Sequence, residues 1–369
     1  MNPLQSIEAK VRNAERLSRE DGIALYRSDD VFAIGKMADA VRERRNGNAA
    51  YYIVNHHINY SNICRNECRF CAFSRREGER GAYTMPLEEI LDRADRAAEE
   101  GATELHIVGG CHPGLPFDYY LEMIGELHTR HPAIHLQAFT CVEIAAMAEM
   151  AGMGVAGVLR RLQDIGLGSL PGGGAEIFAD RVRRELCPEK LPSQAWLDTA
   201  RQAHQLGIRS NATMLYGHIE TPEERVDHMI CLREVQDETG GFMSFIPLAF
   251  HPKHTGLADL PGTTGLLDLK TIAIGRILLD NFVHVKSFWI MLGVKLAQIS
   301  LSFGADDMNG TVIEEKITHA AGAETPQKLT VEEMTRLILE AGREPVERNT
   351  IYQRVLRTGT DWRTAGGER

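Results

Sequence analysis

Apolar positions along the chain fall into short runs separated by longer stretches of helical period. Strand-like runs recur at YYIVNHHINYSN (51–62), ELHIVGG (104–110), IHLQAFT (134–140) and a short GLGSLP (166–171). They continue at IRSNATMLYG (208–217), GFMSFIPLAF (241–250), FVHVKSFWI (282–290) and QISLSFGAD (298–306). Between them, amphipathic patterns such as MPLEEILDRADRAAEEG (85–101), SQAWLDTARQAHQLG (193–207) and TPEERVDHMICLREVQDETG (221–240) predict helices, and their closing glycines suit C-terminal caps. Strand then helix, repeated about eight times, predicts an α/β fold: a parallel (β/α)8 TIM-type barrel. Residues 1–48 read as an N-terminal helical extension and 49–309 as the barrel. Residues 310–369 read as C-terminal helices (310–355) followed by a polar tail (356–369).

The chemically distinctive residues all follow predicted strands. Cys64, Gly109-Gly110, Glu143, Gly172 to Glu176, His218 to Glu220, His251 and Asp306-Asp307 stand in this position. In a parallel barrel that is the C-terminal mouth, where active sites are built.

Composition narrows the class. Of 369 residues, 43% are hydrophobic and 25% charged, enough for a large folded core. The formal net charge is −10 and the arginine doublets are scattered among acids, so no basic face for nucleic acid is expected. The N-terminus lacks the apolar segment of a secretory signal. The most apolar stretch, 271–294, is broken by Arg276, Asp280, His284 and Lys286, which excludes an ordinary membrane span. A cytoplasmic location and no membrane partner are the expectation. Seven cysteines, three within eight residues, then point to metal ligation in a reducing compartment.

The run NICRNECRFCAF places Cys64, Cys68 and Cys71 as C-x3-C-x2-C directly after the first strand. Three thiolates can hold three irons of a 4Fe-4S cubane and leave the fourth iron open. An open iron can chelate the amino and carboxylate groups of S-adenosylmethionine, and one electron from the cluster then cleaves the sulfonium to a 5′-deoxyadenosyl radical. A structural zinc is the competing reading, with His112, His56 or His57 as fourth ligand; no second C-x2-C supports it. A closed cluster in an electron-transfer protein is the other.

Further candidates surround this loop. Gly109 and Gly110 let backbone approach a ligand and suit the methionyl end of the cofactor. LPGGGAEI (170–177) is a second glycine loop whose Glu176 can reach a ribose hydroxyl or substrate. In YGHIET (216–221), Gly217 and Ile219 can pack against adenine and His218 or Glu220 can point into the mouth, while Thr221-Pro222 opens a helix. His251, Lys253 and His254 form a local cationic patch suited to a carboxylate-bearing substrate, joined by Lys286. His131 and His135 do not form a zinc-hydrolase pair, because Pro132 intervenes and no HExxH is present.

The chain resembles the aminofutalosine synthase family, radical S-adenosylmethionine enzymes of the futalosine route to menaquinone. The resemblance runs through NHHINYSNICRNECRFCAF, IVGGCHPGLPFDYY, QAFTCVEI, SLPGGGAEIF and ATMLYGHIETPEERVDHM. It continues in QDETGGFMSFIPLAFHP, LDNFVHVKSFWIMLG, FGADDMNGT and GREPVERNTIY. A sister family, the dehypoxanthine futalosine cyclases, shares several of these motifs. There a Trp-containing segment is expected in place of FIPLAFHP, so Leu248 and His251 favour the synthase.

The resemblance implies that the 5′-deoxyadenosyl radical adds to the vinyl ether of 3-[(1-carboxyvinyl)oxy]benzoate. Rearrangement and loss of the carboxyl carbon then give 6-amino-6-deoxyfutalosine. S-adenosylmethionine is consumed, and an external one-electron reductant is required. A dianionic substrate would call on His251, Lys253 and Lys286, with Glu143 or Asp307 as candidates for moving protons. Cys111 stands where a bulkier apolar residue is usual in the family.

Overall fold

The computed structural model describes residues 3–366. Three helices open the chain: α1 (Pro3–Arg12), α2 (Arg19–Arg27) and α3 (Val31–Asn46). Short polar side chains set their starts. Ser18 and Asp21 form a reciprocal capping box at the head of α2, and Asp30 accepts the Ala33 N–H at the head of α3. The buried faces of α2 and α3 pack on helices Pro222–Thr239 and Gly265–Leu278, outside the sheet.

After these helices, β1 (Ala49–Ile53) leads into β2 (Asn55–Ile58), β3 (Glu104–Ile107), β4 (His135–Ala138) and β5 (Ser169–Leu170). The longer β6 (Arg209–Tyr216) and β7 (Phe242–Ala249) follow, then β8 (His284–Val285) and β9 (Asp307–Gly310). Strands β2 to β8 form one parallel sheet in chain order, with the intervening helices on its outside.

The two edges of that sheet meet through residues 307–313. Lys286 bridges Asp307 on one side and His56 bridges Ile313 on the other. The Ser287 N–H donates to Asp307 O at 2.7 Å and the His57 N–H to Ile313 O at 2.9 Å. The sheet is thus curled into a barrel whose seam is held by isolated bridges, not by a continuous ladder. Strand β1 steps out of the ring and pairs in parallel with β9 and with β10 (Glu344–Glu347). An antiparallel hairpin, β11 (Val355–Thr358) and β12 (Asp361–Thr364), completes the described chain.

Several expected elements change. The run 51–62 is two strands, because β1 turns away to pair with β9 and β10 while β2 joins β3. The run 298–306 is not a strand: a helix occupies Val294–Ser300 and the closing strand begins only at Asp307. In 282–290 only His284–Val285 is strand, and Trp289–Leu292 is helical. Residues 310–355 carry helices at Ile317–Ala320 and Val331–Glu340, but also β10. The expected polar tail holds the β11–β12 hairpin, and its last three residues, 367–369, lie outside the described residues.

One apolar cluster runs from Ile7 through the barrel to Ile338, so the terminal additions share the barrel's core. Among the described residues no single helix is long and apolar enough to cross a membrane.

Candidate active site

Cys64, Cys68 and Cys71 lie on the loop that leaves β2, at the mouth of the barrel. Backbone hydrogen bonds pin this loop to its neighbours. Gly110 N–H donates to Ser61 O (2.8 Å), Arg65 N–H to Cys111 O (2.9 Å) and Arg69 N–H to Leu186 O (2.8 Å). The glycine at 110 is what permits the first contact. A Cβ there would lie 2.2 Å from Ile63 O and 3.0 Å from Cys64 Cβ. All three thiols face a cavity of about 320 Å³ that descends into the barrel, and Gly109 and Gly110 line it too.

Two further cysteines stand behind the loop. A hydrogen bond from Cys111, with the Asn66 and Cys111 backbone N–H groups, brings the Cys64 thiol down to about 6 against the effect of burial. Cys187 pairs with Cys68 in the same way. That hydrogen bond and burial raise Cys68 while Cys187 goes down, and Lys190 favours the thiolate in both. Lys190 is largely buried, ion-paired to Glu176 and 5.3 Å from the centre of the Phe70 ring. Burial acts to lower it, but Glu176, Cys68 and Cys187 hold its ammonium well above the usual range.

All seven cysteines are free. Among the described residues no three His, Cys, Asp or Glu side chains converge on a point that would hold a single metal ion. In a cubane each thiolate binds a different iron, so the three need not converge on one point. Three thiols on one loop, with a buried ammonium beside them to offset thiolate charge, fit a 4Fe-4S cluster held by Cys64, Cys68 and Cys71.

The other predicted residues divide into those that line the cavity and those that do not. Glu143 lines it, but its oxygens are fully used. Oε1 accepts from Tyr60 Oη (2.8 Å) and Gly109 N (3.0 Å), Oε2 from Thr140 N (2.7 Å) and Thr140 Oγ1 (2.8 Å). Burial pushes its carboxyl up to about 7 against these bonds. Glu143 therefore ties the ends of β3 and β4 to the helix Cys141–Ala151, whose capping box it completes. Glu176 lines the cavity through its pairing with Lys190. His251 also lines it, with Nε2 donating to Met291 O at 2.8 Å.

Gly217, His218 and Ile219 fall outside the cavity lining. His218 Nε2 donates to Leu215 O (3.1 Å), and the loop closes on Glu220, which accepts from the Gly217 N–H and from Arg225. Burial opposes ionisation there, yet His218 and Arg225 hold the Glu220 carboxyl at about 2. Lys253 is exposed at the rim and paired with Glu324 (2.6 Å), and His254 is exposed on Ala320 O, so the expected patch is not assembled. Asp307 does not face the cavity. It is fully buried between Arg348 Nε (2.6 Å), Tyr352 Oη (2.7 Å) and the Asn309 N–H (2.6 Å), where it anchors the closing strand.

The lower cavity was not anticipated except for Lys286. Its floor is polar, with His57, His106, Gln137 and Asn309 beside Lys286, and its walls are apolar, with Val108, Leu215, Ile246, Leu248 and Phe288. Burial and the nearby Arg348 charge bring Lys286 down to about 8.

A cysteine loop at the mouth of a parallel barrel, above a cavity that descends into it, defines a radical S-adenosylmethionine enzyme. In agreement, residues 58–232 match the Radical SAM superfamily and residues 239–358 the CofH/MqnC C-terminal region. The fold is shared with the FeFe-hydrogenase maturase HydG from Carboxydothermus hydrogenoformans, at a TM-score of 0.74 and 18% identity over 95% of this chain and 80% of that one. Methylornithine synthase (PylB) gives 0.73 and 17%, over 92% and 97%. An aminodeoxyfutalosine synthase from Thermus thermophilus is 48% identical over 353 residues, 95% of each chain. One from Streptomyces coelicolor is 47% identical, over 95% of this chain and 93% of that one. The 5-amino-6-(D-ribitylamino)uracil–L-tyrosine 4-hydroxyphenyl transferase of Methanopyrus kandleri is 41% identical, over 90% and 91%. The chain belongs to the family of the aminodeoxyfutalosine synthases.

Proposed function

We propose that this enzyme joins the 5′-deoxyadenosyl group of S-adenosylmethionine to 3-[(1-carboxyvinyl)oxy]benzoate. Rearrangement and loss of the carboxyl carbon then give 6-amino-6-deoxyfutalosine, a step of menaquinone biosynthesis. When bound, the 4Fe-4S cluster and S-adenosylmethionine supply one-electron cleavage to a 5′-deoxyadenosyl radical, fed by an external reductant.

The observation that carries this reading is the layering of one cavity: thiols at the mouth, apolar walls, and a polar floor that carries Lys286. An aryl ether carrying carboxylates matches that order. The chain's own residues bind and shield. Leu215, Ile246, Leu248 and Phe288 exclude water around a reactive carbon. Glu143 holds two strand ends against the cysteine loop, and Lys190 balances charge beside it.

A second reading, tyrosine with a ribitylaminouracil, is favoured by the relative from Methanopyrus kandleri. Tyrosine would bring an ammonium as well as a carboxylate to the cavity, whereas the ether brings carboxylates alone to the floor lysine, which favours the ether. The cyclase reading shares the radical chemistry but predicts hydrogen abstraction. Anaerobic turnover with S-adenosylmethionine and, in parallel reactions, the enolpyruvyl ether, dehypoxanthine futalosine, or tyrosine with the ribitylaminouracil, followed by mass spectrometry, separates all three. A nucleoside carrying both adenine and the benzoate is the expected product. Free 5′-deoxyadenosine with intact ether would overturn the reading.

A further inference from the structure

The floor of the cavity holds two groups with unmet demands. Other buried cations among the described residues find acids or backbone carbonyls: Arg276 pairs with Asp306, Arg348 pairs with Asp307, and Arg183 and Arg233 donate to carbonyl oxygens. Lys286 is as deeply buried, yet among the described residues no carboxylate stands within 4.0 Å of its ammonium, which lies 5.9 Å from the face of the Tyr352 ring. Unpaired buried charge is costly and in native proteins marks a site for a counter-ion.

In the lining of the same cavity, His57 Nε2 is buried with no hydrogen-bond partner. The His57 ring stacks on His106 at 4.4 Å, and His106 Nδ1 is engaged by Gln137 Oε1 at 3.2 Å. The orphaned nitrogen is therefore the free end of a fixed polar row. Four acids line the cavity, and none satisfies these groups. Glu176 is taken by Lys190, Glu143 by its cap, and Glu315 by the Ile317 and Thr318 N–H groups, while Glu104 accepts from Asn55.

We propose that Lys286 and His57 form a receptor for the aromatic carboxylate of the substrate, so that the floor decides which end of the molecule meets the cysteine loop. This rests on the reading of the substrate given above. A carboxylate oxygen accepts from the ammonium and another from the His57 N–H, which removes both unmet demands at once. With that end fixed, the ring lies along Leu215, Ile246 and Leu248, and the vinyl ether faces the thiols at the mouth. The reverse orientation would set the second carboxylate at the floor and carry the alkene away from the radical source. Lys286 and His57 are then binding residues that determine orientation as well as affinity.

The test compares two ligands on the unreduced holoenzyme with S-adenosylmethionine bound: 3-[(1-carboxyvinyl)oxy]benzoate and the same ether without the ring carboxylate. Calorimetric titration of the wild type is expected to show a preference of roughly 10- to 100-fold for the dianion. Lys286→Met is expected to remove most of that preference while weakening the monoanion little. His57→Phe, which keeps the stack on His106, should remove a smaller part. Lys286→Arg retains the charge and should keep the preference, which guards against a folding defect in Lys286→Met. A wild type indifferent to the ring carboxylate, or a Lys286→Met that loses both ligands equally, overturns the receptor. Intact preference without adduct on reduction would leave the receptor standing and defeat the proposed reaction instead.

Discussion

Gly110→Ala probes the coupling between barrel and cysteine loop. The new methyl would stand 2.2 Å from Ile63 O, and backbone cannot rotate away as a side chain can. Restoring even a 3.0 Å contact moves that carbonyl by about 0.8 Å and draws Cys64 with it. Overpacking of this kind costs about 1–3 kcal/mol. The bonds Gly110 N–Ser61 O and Arg65 N–Cys111 O flank the displaced residues, and losing one adds about 1 kcal/mol. A penalty of about 2–4 kcal/mol falls on the loop geometry that holds the cluster, or 30-fold and more in cluster retention. The assay is iron per chain and the electron paramagnetic resonance spectrum after anaerobic reconstitution, with thermal unfolding alongside. Cluster content should collapse while the unfolding temperature drops by only a few degrees. Gly125→Ala serves as control, because that helical glycine has nothing within 4 Å of the added methyl and should be neutral or slightly stabilised. A Gly110→Ala protein with full iron and an unchanged spectrum would refute the claim that Gly110 seats the loop.

Cys68→Ala should abolish S-adenosylmethionine cleavage and leave the circular dichroism of the barrel intact; normal turnover would sink the cluster assignment. Lys190→Met leaves Glu176 buried without its partner and should cost about 3–5 kcal/mol in denaturant unfolding, with much of it recovered in Lys190→Met/Glu176→Gln. His319 is raised to about 9, chiefly by its hydrogen bond to Glu315, and its other nitrogen donates to Thr325 O at 3.1 Å. With the folded value above the unfolded one near 6.5, this support is complete below about pH 6.5 and is lost as pH rises through about 9. Hydrogen-exchange protection across 315–325, taken relative to the intrinsic rate at each pH, should therefore fall between those limits, and His319→Gln should remove that fall.

The early barrel was legible because amphipathic helices separate its short strands at regular spacing, even though NHHI, ELHI and HLQA are themselves half polar. The cysteine loop was legible because ligand spacing is local. The closing quarter was not. QISLSFGAD alternates like a strand, yet the true closing strand is Asp307–Gly310, DMNG, whose acid hides its burial by pairing with Arg348 and Tyr352. Likewise β10 reads as a charged segment because Glu347 is neutralised by Arg357, ten residues on. Hydropathy counts such residues as exposed, and only the fold shows that they cancel. In the site, Lys190 escaped and His57 was read only as a possible zinc ligand, because nothing in ELCPEKLP or NHHIN announces a charge beside a cluster or a nitrogen left without a partner. Lys253 and Asp307 misled for the opposite reason: adjacency in sequence to a strand end does not fix which way a side chain turns.

The seam of the barrel sets an order of events during synthesis. Strand β2 and the cysteine loop leave the ribosome early, but the partner that covers the outer edge of β2 is residue 313, about 250 positions later. Until it arrives the nascent sheet carries an open flank, and the interior that will become the cavity can be entered from the side as well as from the top. Once 307–313 and then β10 have threaded into place, side entry ends, and exchange with solvent is restricted to the mouth. A chain stopped short of residue 307 would retain every cluster ligand and most of the sheet, yet it would behave as an edge in search of a neighbour.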